Sequence, residues 1–160
     1  MTDHADSVRS SVARVIAASP ERLYAAFTDP AALAEWLPPG EMTGVINRFD
    51  GREGGGYSMS LFYPQDDTSA RGKTNDREDR AEVRFVALAP PRRIVEAVRF
   101  VSDDPGFQGE MTMTIGFETV DGGTEVTMLF ENLPPGLSAA DNELGSRQSL
   151  EQLARWVERG

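Results

Sequence analysis

The stretch that decides the fold closes the chain: SAADNELGSRQSLEQLARWVERG, Ser138 to Gly160. Leu150, Leu153, Ala154 and Val157 recur there at i, i+3, i+4 and i+7, one apolar stripe at helical period. Ser138 and Asp141 have capping-box spacing at its start, with Asp in place of the usual Glu. Leu133-Pro134-Pro135-Gly136 leads into it. A lone terminal helix with an apolar stripe needs a surface to cover, and a sheet that is apolar on one face needs a cover. The pairing predicts a curved sheet wrapped around a helix, with room for a cavity between them.

The phase of the stripe carries a second message. At about 100° per residue it extends backward through Glu143, Ser146 and Arg147. The helix face toward the sheet is thus apolar in its second half and polar in its first. Polar side chains do not sit unpaired in a dry core. They either reach solvent at a cavity mouth, where Glu143 and Arg147 can pair four residues apart, or meet a polar ligand group inside. Gly145 costs about 1 kcal/mol relative to Ala in a helix interior, so close packing or a local kink is expected there.

Upstream, the pattern is mostly strands. Ser11 to Ala17 alternates loosely and reads as a first strand. Ser19-Pro20-Glu21 and Asp29-Pro30 are two helix starts, each with a capping side chain before Pro at the first helical position. Pro38-Pro39-Gly40 stops the second helix. Strands then follow over Thr43–Asp50, Tyr57–Tyr63, Glu82–Leu88 and Arg93–Val101, with Gln65 to Arg80 a densely charged, exposed loop. Met111, Met113, Ile115 and Phe117 alternate with polar residues and Gly116, and Asp121-Gly122-Gly123 turns into a partner strand with Val126, Met128 and Phe130. The fold class is α+β: a curved antiparallel sheet of about seven strands around a long C-terminal helix, with two short helices after the first strand.

Composition narrows the chemistry. A chain of 160 residues is expected to form one domain, residues 8 to 160, behind a flexible polar tail over residues 1 to 7. With no cysteine there is no disulfide, thiol nucleophile or zinc–thiolate site. The one histidine, His4, lies in the tail, so a Ser-His-Asp triad, a His base or a multi-His metal site has no other residue to use. The net charge of -10 argues against nucleic acid and anionic membranes. No apolar run approaches the roughly 20 residues of a membrane span, and no signal-peptide core is present. A cytoplasmic protein without metal or cofactor is expected. Gly54 to Gly56 lacks the Lys-Ser/Thr of a phosphate loop and reads as a tight turn or bulge.

Several motifs in order resemble the START-like, helix-grip superfamily (SRPBCC), and within it the branch named after the C-terminal domain of the activator of the heat-shock-protein-90 ATPase. They are Ser19-Pro20-Glu21-Arg22 with Thr28-Asp29-Pro30 and Trp36; Phe49-Asp50-Gly51-Arg52-Glu53-Gly54-Gly55-Gly56-Tyr57; Gly72-Lys73-Thr74; Pro91-Arg92-Arg93-Ile94-Val95; Gly123-Thr124-Glu125-Val126; and Asp141-Asn142-Glu143-Leu144-Gly145. They span about residues 12 to 158. Relatives often place Trp after the helix glycine, where this chain has Ser146. The superfamily hosts lipid carriers, hormone receptors, cyclases and co-chaperones, so the resemblance implies the fold and a cavity but no reaction.

The candidate pocket residues are Trp36, Tyr57, Met59, Phe85, Glu96, Phe100, Met111, Met113, Met128, Glu143, Ser146, Arg147 and Leu150. The aromatic and methionine members serve equally as ordinary core. Three methionines on adjacent strands favour an adaptable apolar wall, and Trp36 and Tyr57 add hydrogen-bonding handles. Glu96 shares a strand face with Ile94, Val98 and Phe100, which points it inward and Arg99 outward, unless it is exposed or ion-paired. A buried, unpaired carboxyl has a raised pKa and can act as an acid. The expected function is a binding module for a small, mostly apolar molecule, and the balance leans away from an enzyme. The first alternative is a cyclase- or hydrolase-like enzyme using Glu143, Arg147, Tyr57 or Glu96. The second is a partner of a chaperone ATPase, ranked lower because the chain reads as the START-like domain alone. A homodimer stays open.

Overall fold

The computed structural model describes residues 9–64 and 78–159. The expected N-terminal tail with His4, the Gly72-Lys73-Thr74 motif and the charged loop as far as residue 77 lie outside the described residues.

The order is β1 (Arg9–Ile16), α1 (Pro20–Phe27), α2 (Pro30–Trp36), β2 (Thr43–Asp50), β3 (Gly56–Phe62), β4 (Glu78–Ala89), β5 (Arg93–Phe100), a 3-10 turn (Pro105–Phe107), β6 (Met111–Val120), β7 (Gly123–Glu131) and α3 (Ala139–Glu158). The seven strands form one sheet in the order β1-β7-β6-β5-β4-β3-β2, antiparallel throughout. The order of elements along the chain read from the sequence, a strand, two short helices, further strands and a closing helix, is the order observed. One boundary moves. Strand β4 starts at Glu78, inside the stretch read as exposed loop, and Glu78 and Asp79 are buried. Charge density suggested solvent, but strand pairing with Leu61 and Phe62 carries these carboxylates into the sheet.

Local signals act where the sequence puts them. Ser19 Oγ accepts from the Arg22 amide, Asp29 Oδ1 from the Ala31 amide and Ser138 Oγ from the Asp141 amide, each satisfying a helix-end donor. Gly56 has φ of 150°, and a Cβ there would collide with the Val83 carbonyl, so the triple glycine is a close backbone approach at the start of β3. Bulges at Asn47 in β2 and Val86 in β4 interrupt the register on the β2–β4 side of the sheet, where they bend and twist it.

The core lies on the concave face. Leu150, Leu153, Ala154 and Val157 of α3 are at most 4% exposed and belong to one cluster with Val12, Ile16, Leu23, Phe27, Leu33 and Trp36. Each large side chain contributes about 1.5–3 kcal/mol on burial. Trp36 Nε1 donates to the Ala26 carbonyl at 2.9 Å, and its ring meets Phe27 edge-on at 4.7 Å. The opposite face of the sheet is polar: Ser58 Oγ donates to Glu82, which also pairs with Arg48 at 3.0 Å, and Asn47 and Arg80 reach Ser60.

Truncation should separate these contributions. Leu153→Ala is expected to cost about 2–5 kcal/mol through the cavity it leaves, and Ser138→Ala about 0.5–2 kcal/mol through the lost cap. Urea unfolding of both variants checks the ranking.

Candidate functional site: a cavity between the sheet and the closing helix

Helix α3 packs tightly only over its second half. Under its first half the sheet and helix enclose a space of about 470 Å³. Tyr57, Met59 and Leu61 of β3, Glu96, Val98 and Phe100 of β5, Met111 and Met113 of β6, and Met128 and Phe130 of β7 point into it from one side. Asp141, Asn142, Gly145, Ser146 and Ser149 of α3 face it from the other. Leu37, Pro39 and Met42 close one rim and Phe107, Gly136 and Leu137 another. The volume falls within the range that holds small organic ligands.

The rims are tied down by hydrogen bonds. Ser149 Oγ donates to the Leu37 carbonyl at 2.6 Å. Gln152 Nε2 donates to the Trp36 and Pro38 carbonyls, both at 2.7 Å, while its Oε1 accepts from the Gly40 amide. The loop after α2 is thereby strapped to α3. At the other end the Gly136 amide donates to the Gly106 carbonyl at 2.6 Å, joining the approach to α3 to the 3-10 turn. Asn142 Nδ2 donates to Ser10 Oγ on β1.

Of the thirteen candidate residues, Tyr57, Met59, Glu96, Phe100, Met111, Met113, Met128 and Ser146 line this cavity together. Five lie elsewhere. Trp36, Phe85 and Leu150 are in the close-packed core, at most 1% exposed. Phe85 packs its ring against Tyr57 and Phe49, which stack on each other. Glu143 and Arg147 pair with each other at 3.6 Å on the outer flank of the helix, the Arg147 side chain 64% exposed.

The helix phase explains the displacement. At about 100° per residue, Ser146, Asn142 and Ser149 lie about 40°, 80° and 100° to one side of Leu150, and Glu143 and Arg147 about 20° and 60° to the other. The cavity occupies the first flank only. A stripe read as a line locates its centre but not the side on which the sheet stands off. Nor does Gly145 pack closely or kink the helix: α3 runs unbroken, and a Cβ there would meet only Pro39 Cγ, at 3.9 Å. It leaves space on the cavity wall. Residues the sequence did not single out include Asn142, Ser149, Leu37, Met42 and Leu137. Asn142 and Ser149 fall on the helical period of Ser146, whereas the rim loops carry no periodic signal.

The chemistry centres on Glu96. Its strand face holds Ile94 and Val98, so alternation turns it inward, and Arg99 faces the outer surface near Glu82 and Glu110. Glu96 is 1% exposed, and its Oε1 has no hydrogen-bond partner. Burial alone pushes its pKa up to about 8. Tyr57, 3% exposed, is raised well above its ordinary value by burial first and by Glu96 second. The carboxyl is thus held protonated at neutral pH inside an apolar space. The other orphaned buried side-chain atom among the described residues, the Tyr24 hydroxyl, belongs to the ring cluster with Phe117 and lies outside the cavity lining.

The family model described as activator of Hsp90 ATPase homolog 1-like protein matches residues 17–158. The chain belongs to that family. A crystal structure of protein CV1439 from Chromobacterium violaceum is 34% identical, with a TM-score of 0.82 over 96% of this chain and 98% of that one. A Rhodobacter sphaeroides protein, 24% identical, superposes with a TM-score of 0.74 over 94% of this chain and 92% of its own. An Arthrobacter aurescens protein, 16% identical, reaches 0.76 over 99% and 91%. These last two show the shared fold alone. No curated protein matches the chain. No helix among the described residues of this family member is long and apolar enough to cross a membrane.

Two outcomes follow from the site. Between pH about 4.5 and about 8 the native state holds the Glu96 proton and the unfolded chain does not. Stability therefore falls as pH rises through that window and levels above it, by an amount on the order of a few kcal/mol. Glu96→Gln is expected to flatten this slope, measured as urea midpoints from pH 5 to 9. Gly145→Ala, whose Cβ has room, is expected to stabilise by up to about 1 kcal/mol through helix propensity, read from the same midpoints.

Proposed function

We propose that this family member is a binding module for a small, mostly apolar molecule held between the sheet and the first half of α3. One observation carries the reading: a space of about 470 Å³ with a methionine and aromatic wall, into which a buried carboxyl without a partner projects. Methionine side chains adapt to irregular shapes, and Met59, Met111, Met113 and Met128 supply one wall of this cavity. A dry core would be filled by side chains at crystal-like density. Here the serines and the glycine of α3 leave the space open, and Ser146 does so where relatives often carry Trp.

A second reading has one observation in its favour. A carboxyl kept neutral at physiological pH beside a tyrosine hydroxyl is equipped to protonate or polarise a carbonyl, as in a cyclase-like reaction. In that case Glu96→Gln removes turnover and leaves substrate capture.

Denaturing the purified protein and analysing what it releases by mass spectrometry tests the binding reading. A near-stoichiometric apolar compound is expected. Protein that releases nothing and also fails to bind a fluorescent apolar dye would overturn it. Ser146→Trp is expected to fill the space, retain the fold by circular dichroism, and lose both the released compound and dye binding.

A further inference from the structure

The walls of the cavity specify shape; its charged groups specify the kind of head group. Among the described lining residues the groups that can carry charge are Glu96 on β5, Asp79 on β4, Asp141 on α3, Tyr57 on β3 and Tyr63 just after it. All are acids. No Lys, Arg or His of the described residues lines the space. Of the acids, Glu96 is the deep one, and its Oε1 stands without a partner. The residues paired with it on the neighbouring strands, Phe85 on β4 and Met113 on β6, offer no donor. From α3 the wall carries the neutral Asn142, Ser146 and Ser149 and the acid Asp141.

Resting on the binding reading above, we propose that the ligand is a lipophilic amine or quaternary ammonium compound whose cationic head pairs with Glu96 while its apolar body lies against the methionines. An unpaired buried carboxyl is costly whether it ionises or stays neutral. Without a ligand, protonation removes the charge but leaves the carboxyl unpaired. A cation can take the place of that proton, and the pair then forms on a carboxyl that is 1% exposed, where the attraction is weakly screened. A bulky organic cation loses less hydration than a small ammonium on entering. Among the described lining residues, a fatty acid or other anionic amphiphile meets only acids of its own sign. A neutral alcohol gains the apolar contacts and one hydrogen bond, without the charge term. The net charge of -10 favours approach of a cation from solution.

Three probes with one tail separate the cases: decyltrimethylammonium, decanol and decanoate, titrated below their micelle concentrations by calorimetry. At pH 8.5 the ammonium is expected to bind at least about tenfold tighter than the alcohol, and the alcohol tighter than the carboxylate. In Glu96→Gln the ammonium-to-alcohol ratio should collapse toward one. A readout on the unaltered protein stands beside the variant. The ammonium probe cannot titrate, so binding at pH 7 should release close to one proton per ligand, seen as different heats in phosphate and Tris. Its affinity should rise as pH rises from 6 to 9. Equal binding of ammonium and alcohol, or binding without proton release, would overturn the proposal and leave the binding reading standing. Failure of all three probes to bind would overturn both.

Discussion

Everything distinctive in this structure depends on how α3 lies across the concave face of the sheet. Its apolar stripe, Leu150 to Val157, is buried against β1 and the two short helices, which fixes one end of the helix close to the sheet. At the other end the side chains facing inward are small or polar, and they do not draw the sheet after them. One helix thus serves as an anchor over half its length and as the roof of a cavity over the other half. The apolar burial of α3 itself sits beside the cavity, while Met59, Met111, Met113, Met128 and Phe130 belong both to the core and to the cavity wall. The site can therefore stay open at little cost to the fold.

The straps complete this division. Ser149 and Gln152 are polar residues beside the apolar stripe of α3, and their side chains go to backbone carbonyls at the end of α2 and just after it. These bonds satisfy groups that would otherwise be lost at a helix C-terminus followed by Pro38 and Pro39. They also hold Leu37 and Pro39 at the rim. Hydrogen bonding here sets the position of a wall more than it adds to stability, since each such bond contributes only about 1 kcal/mol net.

Glu96 breaks the pattern of an otherwise consistent core. A carboxyl in the middle of a central strand, with apolar neighbours and no partner, lowers the stability of the native state at neutral pH. Local violations of this kind are expected where structure serves binding or chemistry. Protonation relieves its charge, and on the proposed binding reading a ligand would supply its missing partner. The protonation state of the cavity and its occupancy are then linked.

The sequence by itself determined the elements and their faces. Alternation in β3, β5, β6 and β7 and the 3.6-residue period of α3 are properties of neighbouring residues along one chain, so they survive without tertiary information. They put Glu96 and Arg99 on opposite faces and the methionines on shared ones, with burial deciding that Glu96 is the inward one, and the caps at Ser19, Asp29 and Ser138 marked three helix starts. The tertiary structure decided where the interior is filled and where it is empty. Trp36, Phe85 and Leu150 share a face with the cavity residues but fall where sheet and helices meet closely, whereas Ser146 and Gly145 fall where they part. It also decided which flank of α3 looks inward, separating Ser146, Asn142 and Ser149 from Glu143 and Arg147. A period fixes the direction of a side chain about its own element's axis. The distance and offset between two elements come from the summed sizes of side chains on both, and no single stretch of sequence contains that sum.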